Sequence, residues 1–161
     1  MIIRCTRKVA TKIKVELPRS ALEAEESEWY TNLFRHRGAQ FLIITESKTL
    51  LSVVIRGRGI ATRQSFVTSF TEAVGEYCRN RGIASVLGNG LAFGPNEAEF
   101  HKTNNRRILG SMNDLIYASQ VHLEIHDRSL DELSDRLNKT PMSYLGYSNP
   151  MKQVESLLRE P

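Results

Sequence analysis

The feature that most constrains the fold is a long amphipathic pattern over residues 63–81. Apolar side chains recur there at intervals of three and four residues, which is the spacing of one face of an α-helix. They are Phe66, Val67, Phe70, Val74, Tyr77 and Cys78. Gly82 follows, at the position where a glycine commonly ends a helix. The pattern predicts a helix that packs its apolar face against another layer of structure.

Several segments carry strand patterns that supply such a layer. Residues 40–45 and 49–56 are rich in Ile, Leu, Val and Phe and are separated by three polar residues, which predicts a β-hairpin. Residues 1–5 predict a short strand. Residues 121–126 alternate apolar and polar side chains, which is the period of a half-buried strand.

Further helices are predicted over residues 7–15, 28–37, 105–119, 129–138 and 150–159. In the second of these segments Trp29, Tyr30, Leu33 and Phe34 have helical spacing, and Gly38 follows as a C-cap. Ser129 is the expected N-cap of the fourth. The 161 residues are enough to bury a core, and no internal repeat or linker divides them. We therefore predict one α+β domain over residues 1–161, with a small, mainly antiparallel sheet packed against several helices.

Composition indicates a soluble and mildly basic protein. The formal net charge is +4, and basic residues are concentrated near the start of the chain, at Arg4, Arg7, Lys8, Lys12, Lys14 and Arg19. Such a balance favours anionic partners, although solvated faces with local ion pairs are the preferred interpretation. Cys5 and Cys78 lie in apolar patterns and are expected to be buried free thiols. Without a secretion signal or an apolar run of about eighteen residues, we expect a cytoplasmic protein and no membrane partner.

Residues 101–114 form the segment with the strongest indication of a binding site. Cationic, amide and hydroxyl side chains are concentrated there at the predicted start of a helix, where unpaired backbone N–H groups and the helix dipole favour an anion. We expect this segment to contact a phosphate. The expected ligand-binding residues are Lys102, Thr103, Asn104, Asn105, Arg106, Arg107 and Asn113. The alternative is a polar cap that connects the helix to the preceding loop.

Candidates for catalysis come from the same segment. His101 is a possible acid or base, Arg106 a possible charge stabiliser, and Asp114 a possible base or orienting carboxylate. His122 is a second possible acid or base. No Gly-x-Ser-x-Gly motif surrounds a serine, so a hydrolase nucleophile is not indicated. The glycine-rich segment 88–94 lacks the Lys-Ser/Thr ending of a phosphate-binding P-loop and is expected to be a loop.

Metal chemistry has weaker support. On the predicted strand 121–126, His122, Glu124 and His126 would project from one face at a spacing that can chelate a metal. A solvated polar strand face is the preferred interpretation. We therefore expect neither a metal site nor a cofactor.

Three stretches resemble a family of small bacterial proteins known only as a domain of unknown function. They are Met-Ile-Ile-Arg-Cys-Thr at residues 1–6, the Lys-Thr-Asn-Asn-Arg and Leu-Gly-Ser-Met-Asn-Asp elements within 102–114, and Leu-Asn-Lys-Thr-Pro-Met followed by Leu-Gly-Tyr within 137–147. The resemblance spans nearly the whole chain and implies a free-standing bacterial domain. It implies no activity.

The leading hypothesis is a cytoplasmic bacterial protein that binds a phosphate-bearing ligand, which we expect to be nucleic acid such as RNA. One alternative is a metal-independent RNase or toxin-like nuclease. Another is a protein-interaction module, such as an antitoxin or a phage or host-defence component, whose partner would cover Trp29 or the 88–94 loop.

Overall fold

The structure is a computed structural model that describes residues 1–20, 22–23, 28–88, 91–125 and 129–160. Five strands are present in this part of the chain: β1 (Ile2–Cys5), β2 (Glu28–His36), β3 (Ala39–Glu46), β4 (Ser52–Arg56) and β5 (Glu99–Lys102). The α-helices are α1 (Arg7–Ile13), α2 (Arg63–Asn80), α3 (Arg106–Ile125), α4 (Leu130–Asn138) and α5 (Pro150–Arg159). A π-helical turn at Ala84–Gly88 and 3₁₀ turns at Pro95–Glu97 and Ser143–Leu145 complete the regular structure.

The strands form one mixed sheet in the order β4-β3-β2-β1-β5. Strand β1 is parallel to both of its neighbours, β2 and β5, whereas β2, β3 and β4 are antiparallel to one another. The predicted α+β class is confirmed. The antiparallel pairings join eight and five residue pairs and each parallel pairing joins four, so the antiparallel part of the sheet is the larger.

Helices cover both faces of this sheet. On one face α1, α2 and α5 bury a cluster that includes Ile3, Trp29 and Phe70. On the other face α3 and α4 bury a cluster that includes Tyr30 and Leu115. The three layers leave the central strands buried on both sides, which is why their sequences are nearly continuous in apolar residues.

The predicted helix over residues 28–37 is wrong, because this segment is strand β2. Trp29 belongs to the core on one face of the sheet and Tyr30 to the core on the other. Burial on both faces removes the polar alternation by which a strand is recognised. Arg37 and Gly38 have φ values of +47° and +80° and form the turn into β3, so Gly38 does not cap a helix.

The predicted strand over residues 121–126 is also wrong. Helix α3 continues to Ile125, and residue 126 lies outside the described residues. In the helix His122 is buried, while Val121 and Ile125 are exposed. Three apolar residues at alternate positions do not distinguish a strand from the exposed end of a helix.

The other elements agree with the sequence predictions. Strand β1, the β3–β4 hairpin and the helices α1, α2, α4 and α5 lie where they are expected, and Ser129 caps α4 by accepting a hydrogen bond from the Glu132 N–H. Both cysteines are free and buried, and burial raises the pKa of Cys5 to about 12 and that of Cys78 to about 11. Among the described helices, none is long and apolar enough to cross a membrane.

Candidate ligand-binding groove

The connections that follow β1 and β5 lead to opposite faces of the sheet. These strands are adjacent and parallel. Helix α1 follows β1 and packs in the cluster with Ile3, whereas α3 follows β5 and packs in the cluster with Tyr30. A crevice therefore opens beside the carboxyl ends of the two strands. Open α/β sheets bind their ligands at such a switch point.

A groove of about 910 Å³ lies beside this point, between α1 and α3 and over the end of β2. Its lining residues are Arg7, Lys8 and Thr11 from α1, Asn32, Leu33, Phe34 and Arg35 from β2, and Asn113, Ile116 and Gln120 from α3. Among the expected ligand-binding residues, Asn113 is the one that lines this groove.

The floor of the groove is an edge of β2. Strand β1 ends at Cys5, opposite Thr31, and the chain then turns into α1. Beyond Thr31, β2 therefore has no strand neighbour on this side among the described residues. The Thr31 carbonyl accepts from the Thr6 N–H on the β1 side, and every second residue of a strand shares that side. Leu33 and Arg35 accordingly direct their backbone groups into the groove.

Side-chain amides bind this edge in place of a strand. The Leu33 N–H donates to Asn32 Oδ1 at 2.8 Å. The Gln120 Nε2 donates to the Arg35 carbonyl at 2.9 Å. Both amides are therefore positioned next to backbone groups that a ligand can also bind.

The rim of the groove is positively charged. Arg7, Lys8 and Arg35 are exposed. None of them forms an ion pair with another described residue, and no lining residue is acidic. Three unneutralised cations around one concave surface produce a positive potential that attracts anions.

Two asparagines of the 101–114 segment hold the start of α3. The Asn105 Oδ1 accepts from the backbone N–H of Arg107 at 3.0 Å and of Ile108 at 3.2 Å, which makes Asn105 the N-cap. The Asn104 Oδ1 accepts a hydrogen bond from the Tyr30 hydroxyl. The structural interpretation of a polar cap therefore describes these two residues.

The cations of the segment have different surroundings. The Arg107 guanidinium lies 5.0 Å from the centre of the Tyr144 ring, a cation–π contact. Lys102 and Arg106 are exposed and form no ion pair with a described residue, and Thr103 is half-buried. Arg106 precedes Asn113 by seven residues, close to two turns, so both lie on one side of α3. Arg106 thus extends the charge of the groove along that helix.

The catalytic candidates lie on two elements, β5 and α3. His101 lies on β5 with its Nε2 3.3 Å from Glu99 Oε2, and its side chain is 13% exposed. Asp114 and Arg106 are exposed on α3. No hydrogen bond or ion pair joins any two of these three residues in the part of the chain that the structure describes.

The strand spacing that could have let His122, Glu124 and His126 chelate a metal does not occur in the described part of the structure. His122 and Glu124 lie on a helix, where His122 is buried and Glu124 is exposed and pairs with His36 and Arg37. His126 is outside the described residues. Within those residues no group of three or more His, Cys, Asp or Glu side chains is placed to hold a metal ion.

The proposed partner surface at Trp29 is excluded, because that side chain is 1% exposed and packs edge-on against Phe70. The other suggested surface, residues 88–94, is partly outside the described residues, since positions 89 and 90 are not among them.

Sequence reasoning missed Asn32, Arg35 and Gln120 as members of the site. It assigned the first two to a helix, so their position at a strand edge was hidden. Of the basic residues at the start of the chain, Arg7 and Lys8 line the groove, whereas Arg4 is buried and Lys12 donates to Gln40 Oε1 at 2.8 Å.

Fold and groove together define an α+β protein with a mixed, helix-covered sheet and a cationic groove beside the ends of its parallel strands. The chain belongs to the family described as Domain of unknown function (DUF6933), which matches residues 2–153. The resemblance to a family of unknown function is thereby confirmed. No curated protein and no solved structure matched the chain.

Proposed function

We propose that this protein binds a phosphate-bearing ligand, namely nucleic acid, along the groove between α1 and α3. The observation that carries the proposal is the acid-free lining of the groove with Arg7, Lys8 and Arg35 at its rim. Lysine and arginine contacts to phosphate supply most of the affinity of nucleic-acid-binding proteins, and they need cations that no carboxylate already neutralises.

The cations also extend beyond a single phosphate site. Arg7 and Lys8 begin α1, Arg35 lies near the end of β2, and Arg106 begins α3. Arg106 and Asn113 are separated by roughly 10 Å along the helix axis, at 1.5 Å per residue. Successive phosphates of a strand are several ångströms apart, so an extended polyanion contacts such a set better than one phosphate does.

Cleavage is not part of the proposal. A nuclease without a metal needs an acid and a base within reach of the same phosphate. His101 on β5 contacts Glu99, Asp114 lies on α3, and no hydrogen bond or ion pair joins the two among the described residues. Binding of a phosphate-bearing ligand needs the cations of the groove but no acid and base.

The test is a titration of fluorescently labelled RNA and DNA at several salt concentrations. We expect affinity to fall as salt rises, because binding releases counterions from the phosphates. The triple variant Arg7→Ala/Lys8→Ala/Arg35→Ala should lower the slope of log affinity against log salt by about three, roughly one for each lost phosphate contact.

A matched control removes three exposed cations that do not line the groove. Lys48→Ala/Arg58→Ala/Arg159→Ala changes the net charge by the same amount. It should keep the salt slope within about one unit of the unmodified protein. Salt-independent binding, no binding to either polymer, or equal losses in the two triple variants would overturn the proposal.

A further inference from the structure

We infer that the groove holds an unpaired nucleobase joined to a phosphate, so that its nucleic-acid ligand is single-stranded. This inference rests on the proposed function and specifies the ligand at the same site. Its basis is that the groove combines a cationic rim with apolar lining side chains and a hydrogen-bonding strand edge, and phosphate alone does not require the last two.

Apolar side chains that line the groove on both sides of the β2 edge are the first step of the argument. Leu33, on the α1 side, and Ile116, on the α3 side, are half-buried, and Phe34 is buried on the α3 side, where its ring stacks on Phe41 at 5.3 Å. Apolar side chains gain free energy when they are covered by another apolar surface. A phosphate offers no such surface, whereas a nucleobase has two planar faces that pack on apolar and guanidinium groups.

The strand edge is the second step. Leu33 and Arg35 direct backbone groups into the groove, and Asn32 and Gln120 already bind two of them. An amide both donates and accepts, and so do the Watson–Crick edges of the bases. A base that is inserted between α1 and α3 can therefore exchange hydrogen bonds with these amides and with the exposed Asn113.

The third step excludes a duplex. Bases in a duplex are stacked and have their Watson–Crick edges paired, so they cannot enter a cleft between two helices. A volume of about 910 Å³ is within the range of small-molecule sites. The groove therefore accommodates a base that is turned out of a strand, with its phosphate at Arg7 and Lys8.

The experiment compares a single strand and an abasic strand that have the same number of phosphates with a duplex that has about twice as many. Fluorescence anisotropy is measured with a single-stranded 12-mer, the same strand in a duplex, and a strand of the same length without bases. We expect the base-bearing single strand to bind at least about tenfold more tightly than the other two, in line with the contribution of one stacked base. Equal affinity for the single strand and the abasic strand would overturn the inference and leave the proposed function intact.

Variants locate the effect in the groove. Gln120→Ala, and separately the exposed Asn113→Ala, should weaken binding of the base-bearing strand about threefold to tenfold, the contribution of one hydrogen bond, without changing the salt slope or the affinity for the abasic strand. Gln64→Ala, at an exposed position of α2, is the matched control and should have no effect. Circular dichroism of each variant confirms the fold. A uniform loss for all strands, or no loss for any, would contradict a base site.

A final arm distinguishes the two sources of an unpaired base and phosphate. AMP and UMP are added as competitors at millimolar concentration. If the nucleotides displace the 12-mer only above millimolar concentration, the result supports a strand as the ligand. If they displace it at concentrations near the Kd of the 12-mer, the result supports the base site, with a free nucleotide as its ligand. Tighter binding of the duplex than of the single strand overturns the inference. Absence of binding by every ligand overturns the proposed function as well.

Discussion

Arg4 is 1% exposed and connects four segments of the chain. Its Nε and Nη2 donate to the two carboxylate oxygens of Glu28 at 2.8 and 2.7 Å. Its Nη1 donates to the Lys102 carbonyl at 3.1 Å, and its Nη2 also lies 3.0 and 3.2 Å from the carbonyl oxygens of Leu22 and Glu23. A bidentate, buried arginine fixes the geometry of every group that it contacts. It thereby positions the end of β5, where the connection to α3 begins.

We expect Arg4→Met to lower the free energy of unfolding by about 3–5 kcal/mol, because it removes the guanidinium from beside the buried Glu28 carboxylate. The double variant Arg4→Met/Glu28→Met should recover part of this loss, since neither charge then has to be desolvated. Urea denaturation followed by circular dichroism measures both values. A single variant within about 1 kcal/mol of the unmodified protein would contradict this role for the ion pair.

The sequence does not reveal this pair. Arg4 lies in a basic stretch, where a solvated side chain is the ordinary expectation, and Glu28 is 24 residues away. The two meet only because β1 and β2 are adjacent and parallel, with Ile2 opposite Glu28. Sequence patterns predict which side chains are apolar, but they do not predict which buried charge meets which partner.

Helix α3 illustrates how one segment serves both fold and site. Asn105 caps its first turn, while Arg106 and Asn113 are exposed on the side that faces the groove. The polar residues of 101–114 therefore divide into those that hold the helix start and those that are available to a ligand. The polar-cap interpretation describes Asn105, whereas Arg106 and Asn113 are candidates for the proposed ligand contact.

We expect Asn105→Ala to lower the free energy of unfolding by about 1 kcal/mol, because two backbone N–H groups lose their acceptor. Asn105→Asp should retain most of the stability, since a carboxylate also accepts these bonds and is favoured at a helix N-terminus. Thermal unfolding of the variants checks this. Asn113→Ala, at an exposed position of the same helix, is the control. Equal melting temperatures for Asn105→Ala and Asn113→Ala would contradict the cap.

The elements that were predicted correctly are those whose two sides differ. Helix α2 has one buried face, and α4 has a serine cap and inward leucines, so periodicity and capping identified both. The prediction for β2 was wrong because both faces of this strand are buried. The prediction for the end of α3 was wrong because the exposed face of the helix is apolar there, at Val121 and Ile125. Residues 32–35 of β2 line the groove, so the wrong prediction for that segment hid the strand edge on which the groove is built.

At the scale of the whole molecule, α2 and α4 cover opposite faces of the sheet and meet around the edge of β4. The Ser52 N–H donates to Asn138 Oδ1 at 2.7 Å, and the Val54 N–H donates to Ser134 Oγ at 2.9 Å. The Asn138 Nδ2 also donates to the Tyr77 hydroxyl of α2 at 2.9 Å. Side chains of α4 thus satisfy a strand edge that would otherwise pair with other chains.

Charged groups strengthen the same junction. The Arg81 guanidinium, just after α2, donates to Asp131 Oδ1 and Oδ2 at 3.1 and 2.9 Å and to Asp135 Oδ1 at 2.9 Å. The Lys139 ammonium donates to Asp135 Oδ2 at 2.6 Å. Burial raises the pKa of Asp135. The hydrogen bonds from Lys139 and Arg81 and their positive charges lower it by a larger amount, so the pKa lies below its ordinary value.

The lowered pKa of Asp135 gives the stability a defined dependence on pH. A carboxyl whose pKa is lower in the folded state stabilises that state above its unfolded pKa of about 3.9, and the contribution is lost as the pH falls through the folded pKa.

We expect Asp135→Asn to lower the free energy of unfolding by about 1–2 kcal/mol at pH 7. The difference from the unmodified protein should persist at pH 5 and shrink as the pH falls below about 4. Urea denaturation at pH 7, 5 and 3 measures it. Glu132→Gln, an exposed acid on the same helix, should show a much smaller difference throughout. A gap for Asp135→Asn that is the same at all three pH values would show that Asp135 acts through packing rather than through its charge.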